Sequence, residues 1–277
     1  MIKMAYLGPQ GTFSEEAATV FGHYCGVSAL QPYATISRCA RAVEEGETDY
    51  AVVPLENSLT GSVPETLDLL TASVELQIQA ELDVPIELCL LSAKAEMKAI
   101  EKIFSHPQAL GQCRNYLQRF FPDVQTVPVL STAEAAAMAA AQGKGTAAIA
   151  GRKAAVQYGL TVVAAGIADN TSITRFIALG RENGSLPRPE KTSLVFSVKN
   201  VAGNLYAVLR AFVEYKVNLT RIESRPAKSR LGEYIFFVDL DGTLQDAAVQ
   251  TAVREAAAEA VMLKLLGSYP VLRRWQV

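Results

Sequence analysis

Cysteine and histidine are scarce in this sequence of 277 residues, and their spacing excludes several kinds of site. The four cysteines are far apart and form no Cys-x-x-Cys pair, so neither a zinc site nor a disulfide framework is expected. They are Cys25, Cys39, Cys89 and Cys113. With only His23 and His106, a histidine-based metal centre or a Cys–His nucleophile is difficult to assemble. We therefore expect chemistry that needs no metal.

The chain also lacks clusters of positive charge and long apolar runs. It has 26 Lys and Arg against 28 Asp and Glu, a formal net charge of −2. Nucleic acids and anionic membranes require clustered basic charge, so neither is an expected partner. No segment has the length of a membrane span, and Met1 to Gly8 predicts a strand and a turn instead of a signal peptide. A cytoplasmic location is expected.

One pattern occurs four times: an apolar run, a hydroxyl residue, and Glu or Gln three positions later, where a helical pattern begins. The pairs are Thr12 with Glu15, Ser62 with Glu65, Ser105 with Gln108, and Ser131 with Glu134. Each predicts a capping box, in which the hydroxyl accepts a backbone N–H of the first helical turn. The remaining N–H groups of such helix starts favour anions. If several starts face one cleft, the expected ligand is a small molecule with more than one negative charge.

Apolar strands alternate with amphipathic helices over about the first 180 residues, which predicts an α/β fold with a largely parallel sheet. One series ends near residue 80. The second begins with a single long strand over 84–91 and includes one helix over 107–120. A strand over 173–179 then returns towards the first series. Two lobes with chain crossings between them form a cleft, which is the default ligand site.

A polar segment with Gly184, Pro187 and Pro189 marks a domain boundary. Beyond it, the predicted order of elements is βαββαβ in about 85 residues, which is the ferredoxin-like split unit. Such modules expose sheet edges that suit pairing with a second copy.

The glycine-rich run Gly8-Pro9-Gln10-Gly11-Thr12 lies between a predicted strand and a predicted helix. It has neither the G-x-G-x-x-G spacing nor the lysine of a phosphate loop, so it does not predict a nucleotide site. Gly11 and Thr12 suit a carboxylate seat, because glycine lets the backbone approach a ligand and Thr12 stands at the helix start. A tight turn with a capped helix explains the same residues equally well.

The densest polar run, Pro54 to Val63, follows directly on an apolar strand. Ligands of α/β sheets collect at the carboxyl ends of strands. Asn57, Ser58 and Thr60 can donate and accept hydrogen bonds there. Glu56 is either an acid, if burial raises its pKa, or a partner that orients a neighbouring amide, and we favour the second interpretation.

A third polar run, Asp169 to Phe176, ends in a predicted strand. Thr174 and Phe176 share one face of that strand and Arg175 takes the other, so the three side chains cannot point into one pocket unless the strand bends. A hydroxyl beside an aromatic ring suits an apolar ring with a polar leaving group. Taken alone, Arg175 is better explained as an ion-pair partner than as a ligand clamp.

Taken in order, these runs resemble the prephenate dehydratase family, in the monofunctional form that carries a C-terminal ACT regulatory domain. The family motifs Gly-Pro-x-Gly-Thr, Pro-x-Glu-Asn-Ser, Ser-His-Pro-Gln and Thr-Arg-Phe are matched at residues 8–12, 54–58, 105–108 and 174–176. In the tail, Glu223 to Pro226 matches the ACT signature, Gly203-Asn204-Leu205 stands at the Gly-Ala-Leu position, and 267–270 is similar to the closing motif. The resemblance spans nearly the whole chain.

Two positions depart from the family pattern. Ser172 stands where the family usually has Asn, and the preceding loop is one residue short, which leaves the details of ligand anchoring open. Asn204 replaces a small residue at the regulatory turn, which leaves the strength of feedback inhibition open.

The resemblance implies a two-lobed catalytic domain similar to the type II periplasmic binding proteins, followed by a ferredoxin-like ACT domain. The implied boundaries are residues 1–181 for the catalytic domain, 182–191 for a linker and 192–277 for the ACT domain. Within the catalytic domain, lobe 1 takes about 1–80 and 166–181, and lobe 2 takes about 81–165.

The resemblance also implies the reaction. Prephenate loses carbon dioxide and its ring hydroxyl to give phenylpyruvate in L-phenylalanine biosynthesis, and aromatisation drives the step without a cofactor. The implied catalytic residues are Thr174, Arg175 and Phe176, with Thr174 as the hydrogen-bond donor to the leaving hydroxyl. The implied substrate-binding residues are Gly11, Thr12, Glu56, Asn57, Ser58, Thr60, Ser105, His106 and Ser172.

For the tail, the resemblance implies that L-phenylalanine binds between paired ACT domains and inhibits the reaction, which requires a homodimer or homotetramer. The residues implied for this site are Gly203, Asn204, Leu205, Glu223, Ser224, Arg225 and Pro226. Two other functions stay open: an arogenate dehydratase, whose substrate has an amino in place of a keto side chain, and a non-catalytic two-lobed sensor that binds an anion.

Overall fold

The computed structural model describes residues 1–73, 75–94, 96–181, 188–227 and 233–272. These residues form two compact units. The first unit comprises Met1–Leu67 and Leu82–Phe176, and the second comprises Asp68–Glu81 and the described residues between 177 and 272. None of the helices in the described ranges has the length and apolar character needed to cross a membrane.

The first unit contains two lobes, each built on one sheet. The elements of the first lobe are β1 (Lys3–Leu7), α1 (Phe13–Cys25), β2 (Ala29–Tyr33), α2 (Ile36–Glu44), β3 (Tyr50–Asn57) and β4 (Gly61–Ser62). Strand β1 lies between β2 and β3, parallel to both, and β4 pairs with β3. Three further elements run from one unit into the other: α3 (Pro64–Ala72), β5 (Gln77–Ile86) and β11 (Ser172–Gly180).

Local sequence explains most of this lobe. Ile36, Cys39, Ala40 and Val43 recur at helical spacing in α2, and all four are buried. Thr35 caps this helix by accepting the N–H of Arg38 at 3.1 Å. The pattern did not predict β2, because its residues are mostly exposed and it includes a proline, which fits only an edge strand.

The second lobe follows the same α/β principle. Its elements are β6 (Cys89–Ser92), a 3-10 helix (Met97–Ala99), β7 (Lys102–Ser105), α4 (Pro107–Gln112), α5 (Arg114–Phe120), β8 (Gln125–Pro128), α6 (Thr132–Gln142), β9 (Thr146–Ala150), α7 (Arg152–Tyr158) and β10 (Thr161–Ala164). The sheet order is β10-β6-β9-β7-β8. All residues of the central strand β9 are buried, and the alanines of α6 pack closely against its sheet.

Two predictions for this lobe were wrong. The strand predicted over 84–91 is two strands, since β5 ends at Ile86 and β6 begins at Cys89. The helix predicted over 107–120 breaks at Cys113, whose φ of −110° and ψ of 20° are not helical. Asp169 stabilises the break, because its carboxylate accepts the N–H of Asn115 at the start of α5, at 3.2 Å.

The second unit contains an antiparallel sheet with two helices. Its elements are β12 (Lys191–Ser197), α8 (Asn204–Glu214), β13 (Leu219–Pro226), β14 (Tyr234–Asp241), α9 (Ala247–Glu259), β15 (Met262–Tyr269) and β16 (Val271–Leu272). The sheet order is β13-β14-β12-β15. Apolar residues of α8 and α9 pack on one sheet face around Leu194, Phe196 and Val238. The βαββαβ order and the α/β lobes confirm the predicted fold class.

Strand β5 brings residues from outside the βαββαβ module into this unit. It lies between β16 and β11 in its sheet, and the N–H of Glu81 donates to the carbonyl of Pro270 at 3.1 Å. Gly267 allows a close approach at Ile78, because a Cβ at position 267 would lie 2.4 Å from the Ile78 carbonyl oxygen. Only glycine fits such a contact.

The predicted domain boundaries stay a prediction. Residues 182–187 of the predicted linker, including Gly184 and Pro187, lie outside the described residues, as do residues 273–277 of the predicted ACT domain. Strand β12 already begins at Lys191.

Candidate active site

Three of the predicted site residues meet where β3 ends and β11 begins. The side-chain amide of Asn57 donates to the hydroxyl of Ser172 at 2.8 Å and to that of Thr174 at 2.9 Å. All three residues are at most 9% exposed. Strands β3 and β11 are neighbours in the sheet, so residues more than 100 positions apart become one cluster.

The orientation of the Asn57 amide is determined by its other partners. Asn57 Oδ1 accepts the backbone N–H groups of Leu59 at 3.1 Å and Thr60 at 3.3 Å. Backbone N–H groups can only donate, so Nδ2 must face the two hydroxyls, and both hydroxyls must accept from it. The proton of Thr174 is therefore available to a ligand.

Ser58 fastens the two strands to each other. Its backbone N–H donates to the carbonyl of Ile173 at 2.9 Å, and its hydroxyl accepts the N–H of Ile173 at 3.0 Å. The predicted role of Ser58 in substrate binding stays a prediction.

The second lobe contributes two glutamines that the sequence analysis did not select as ligands. Gln108 Nε2 donates to the Thr60 hydroxyl at 3.3 Å, and Gln112 lies one helical turn further along α4, on the same face. Gln112 Nε2 is buried without a hydrogen-bond partner in the described residues. A buried donor without a partner is costly, so Gln112 Nε2 is a candidate donor to a ligand oxygen. The i, i+4 spacing was the available sequence signal.

Two of the four predicted capping boxes were confirmed and two were wrong. Thr12 accepts the N–H of Glu15 at 3.3 Å, and Ser131 accepts that of Glu134 at 3.0 Å. Ser62 lies in β4, two residues before α3, and the Glu65 carboxylate accepts instead from Ser37.

The fourth predicted cap, Ser105, is displaced by one residue. His106 is the N-cap of α4, and its Nδ1 accepts the N–H of Gln108 at 3.3 Å. Ser105 is completely buried and donates to the carbonyl of Ile149 at 2.6 Å. Proline at the first helical position shifts the start of the helix by one residue.

The carboxylate seat predicted at Gly11 is filled by the protein itself. The N–H of Gly11 donates to the Glu15 carboxylate at 2.6 Å, and Lys153 of the second lobe lies 3.5 Å from the same carboxylate. The Thr12 hydroxyl contacts the carbonyls of Leu7 and Pro9. The substrate-binding roles of Gly11 and Thr12 stay predictions.

A cavity of about 790 Å³ opens beside this turn, between the two lobes of the first unit. Its walls include Pro9, Thr12, Tyr33, Glu134 and Tyr158. The Tyr158 hydroxyl donates to the carbonyl of Gln10 at 2.9 Å, which joins the second lobe to the glycine-rich turn. The lobes therefore enclose ligand-sized space next to Thr12.

Arg175 lies on the opposite strand face from Thr174, as alternation predicts. Its guanidinium pairs with Asp83 at 3.3 Å and with Glu56 at 3.5 Å. Glu56 is thus beside a guanidinium, and its predicted role of orienting a neighbouring amide stays a prediction. Phe176 is 2% exposed and belongs to the core.

The described residues provide neither a metal-binding cluster nor an activated thiol. No group of three His, Cys, Asp or Glu side chains in these ranges could hold a metal ion. Burial raises the pKa of Cys25 to about 11 and the pKa values of Cys39 and Cys113 to about 12. At neutral pH these thiols are protonated and poorly nucleophilic.

In the tail, the predicted regulatory residues lie on two elements. Gly203, with φ 91°, precedes α8. At the start of this helix the Asn204 side chain donates to the Lys199 carbonyl at 3.3 Å, and Leu205 packs against the core between the two helices and the sheet. Glu223 pairs with Arg221 and Arg225 with Asp68, while Ser224 and Pro226 are exposed on the other side of β13. Strand β13 is a sheet edge.

Family models match both parts of the chain. The model described as prephenate dehydratase matches residues 4–184, and the model described as ACT domain matches residues 192–258.

Three individual proteins are similar to this chain over nearly its whole length. A bifunctional chorismate mutase/prephenate dehydratase of Neisseria gonorrhoeae is 43% identical over 97% of this chain and 74% of its own length. The crystal structure of an Arthrobacter aurescens prephenate dehydratase in complex with L-Phe is 34% identical, with a TM-score of 0.86 over 97% of this chain and 90% of that one. GqqA, described as a novel type of quorum quenching acylase, is 28% identical, with a TM-score of 0.86 over 98% of both chains.

The family model covers more than half of the chain, and the matched range includes Asn57 and Thr174, which the structure brings together. The chain therefore belongs to the prephenate dehydratase family, whose members are decarboxylating dehydratases, and it carries a C-terminal ACT domain.

Proposed function

We propose that this chain converts prephenate to phenylpyruvate, water and carbon dioxide at the cluster formed by Asn57, Ser172 and Thr174. The hydrogen bond from Asn57 to Thr174 supports this proposal most directly. It leaves the Thr174 proton available to the leaving hydroxyl of the substrate.

The reaction needs little from the protein beyond positioning. The bond between the ring and its carboxylate breaks, its electron pair moves into the ring, and the C–O bond at the opposite ring carbon breaks to release hydroxide. Thr174 stabilises the developing hydroxide by donating a hydrogen bond, and a proton from water or a neighbouring group completes the water product. Since threonine is a weak acid, it does not transfer a full proton by itself.

Gln108 and Gln112 are proposed to hold the substrate from the second lobe. Gln112 Nε2 is the buried donor without a partner in the described residues, and a substrate oxygen would satisfy it. Amide donors bind a carboxylate without neutralising it, so the ring carboxylate keeps the charge that drives decarboxylation.

Thr174→Val tests this proposal. Valine has nearly the same shape and lacks the hydroxyl, so we expect kcat for prephenate to fall by about 100-fold or more, as is typical for losing one donor to a developing oxyanion. Thr174→Ser is the matched control, because it keeps the hydroxyl and should retain most of the activity. A folded Thr174→Val protein with undiminished kcat would exclude Thr174 from the mechanism.

Arogenate is the alternative substrate, since it differs from prephenate only in its amino side chain. Comparison of kcat/KM for the two substrates decides between them.

An acyl-transfer activity like that described for GqqA gains little support from the site, because the described cysteines are protonated and His106 Nδ1 accepts from the backbone.

We further propose that L-phenylalanine inhibits the enzyme by binding the tail of paired subunits. The Arthrobacter aurescens relative was crystallised with L-Phe. The strand β13 carries the matched residues Glu223 to Pro226, and its position at the edge of the sheet suits pairing with a second copy. A homodimer or homotetramer and a cytoplasmic location stay predictions from the resemblance.

A further inference from the structure

Five buried polar side chains in the second unit form a group that we call the Lys191 network. Lys191 Nζ donates to both carboxylate oxygens of Glu81, at 2.8 and 2.9 Å, and lies 3.7 Å from Asp239 Oδ2. The Ser193 hydroxyl donates to Asp239 at 2.5 Å and lies 2.6 Å from the Tyr269 hydroxyl. The side chains of Lys191, Glu81 and Asp239 are 10%, 2% and 3% exposed.

Stability alone does not explain this network. Apolar side chains of similar volume usually stabilise a protein as well as a buried ion pair does, because moving charges out of water is costly. In some proteins a buried pair instead defines which elements meet and in which register. Here the Lys191 network joins Glu81 of β5 to strands β12, β14 and β15 of the tail sheet.

The first half of β5 has two further attachments in the same unit. The N–H of Glu81 donates to Pro270, and Gly267 of β15 packs directly against the backbone at Ile78. A displacement of the tail strands would therefore move this half of β5.

The second half of β5 contacts the residue next to Thr174. Asp83 follows Glu81 by two positions, so both side chains project from the same side of the strand. Asp83 accepts from Arg175 Nε at 3.3 Å, and Arg175 also pairs with Glu56, the neighbour of Asn57. Strand β5 is continuous from Gln77 to Ile86, so it connects the Lys191 network to the Asn57–Thr174 pair through the chain itself.

We propose that Lys191 and Glu81 are positioning residues through which L-phenylalanine bound to the tail changes the reaction at Thr174, with β5 as the connecting strand. The inhibited arrangement shifts the Lys191 network, and Asp83 and Arg175 pass the shift to Thr174. An effector changes the rate only if it binds two arrangements of the protein with different affinity. The Lys191–Glu81 pair makes the arrangement at Thr174 depend on the arrangement of the tail. The proposal rests on the proposed regulation by L-phenylalanine.

The experiment compares wild type, Lys191→Met and the double variant Glu81→Leu/Lys191→Met. The double variant removes both charges, which avoids an unpaired buried carboxylate. Arg181→Met is the matched control, because it removes an exposed ion pair with Glu75 in the same unit. For each full-length protein, prephenate turnover is measured with and without saturating L-phenylalanine, and L-phenylalanine binding is measured by calorimetry.

We expect wild type and Arg181→Met to be inhibited equally, within the roughly 5- to 150-fold range of allosteric coupling. Both network variants should bind L-phenylalanine within about threefold of wild type and change turnover by less than about twofold when it is added. Retained binding with lost inhibition is a result that a merely structural role would not produce.

Three results would overturn the proposal: network variants inhibited as strongly as wild type, loss of L-phenylalanine binding, or a double variant that does not fold. The last two would assign the network to the stability of the tail. A wild-type enzyme that does not respond to L-phenylalanine would instead refute the proposed regulation, and the inference with it.

Discussion

At the scale of single residues, Asn57 determines what Thr174 can do. Asn57 Oδ1 is occupied by two backbone donors, so its Nδ2 makes both neighbouring hydroxyls acceptors. The same side chain thus binds the loop after β3 and directs the Thr174 proton outwards. An acceptor-only side chain at position 57 would reverse that direction.

Asn57→Asp tests this directly. A carboxylate accepts only, so Thr174 would donate to it and its proton would turn away from the substrate. We expect kcat to fall by about 100-fold or more, as for the loss of one catalytic donor. The backbone donors keep their acceptor, so the free energy of unfolding, measured in urea, should change by less than about 2 kcal/mol.

Ser172→Ala is the control for this substitution. It leaves the Asn57–Thr174 bond in place, so its kcat should fall less than about tenfold. An Asn57→Asp enzyme as active as wild type would show that the hydrogen-bond direction is irrelevant.

At the scale of elements, the caps decide where helices begin. Thr35 caps α2 and was not among the four predicted boxes, because Arg38 stands where the pattern requires Glu or Gln. His106, followed by proline, caps α4 in place of Ser105, and the Asp169 carboxylate accepts an N–H at the start of α5, where the long predicted helix is divided. The position at which a helix begins or ends depends on such single hydrogen bonds.

Thr35→Ala should lower the free energy of unfolding by about 1 kcal/mol, because one N–H of the first turn loses its acceptor. Urea denaturation measures this loss, and kcat should not change. In Thr251→Ala the lost hydroxyl donates within α9 to the carbonyl of Ala247, so that control should be nearly neutral. Equal losses in the two variants would contradict the assignment of Thr35 as a cap.

At the scale of the whole molecule, the chain crosses between its two units along α3, β5 and β11. The residues that fasten β5 in the second unit are therefore as important for the architecture as the cores of the lobes. Gly267 is the most restrictive of them, since its φ is 140° and its missing side chain leaves room for the backbone of Ile78.

Gly267→Ala should lower the free energy of unfolding by about 3 kcal/mol or more, because strain at a glycine-only conformation adds to a clash between backbones. Thermal unfolding measures it. Gly46→Ala is the control: position 46 also has a positive φ, of 75°, but no described atom lies within 4 Å of the added Cβ. Similar losses in both variants would show that the contact with Ile78 is not restrictive.

The sequence by itself determined the features that depend on neighbouring residues. The alternation of strands and helices, the buried face of α2, the caps at Thr12 and Ser131, and the βαββαβ tail all follow from local periodicity and local hydrogen bonds. The motifs also selected Asn57 and Thr174 as predicted site residues, and a hydrogen bond joins the two side chains in the structure.

Only the tertiary structure decided which distant groups satisfy one another. Asn57 reaches Thr174 across 117 positions, and Lys191 reaches Glu81 across 110. The Glu15 carboxylate occupies the N–H that was predicted to receive a ligand, and Arg175 pairs with Glu56 and Asp83. A donor carries no local signal of which distant acceptor it will meet, because that choice is made by the packing of whole elements and by the cost of burying any polar group without a partner.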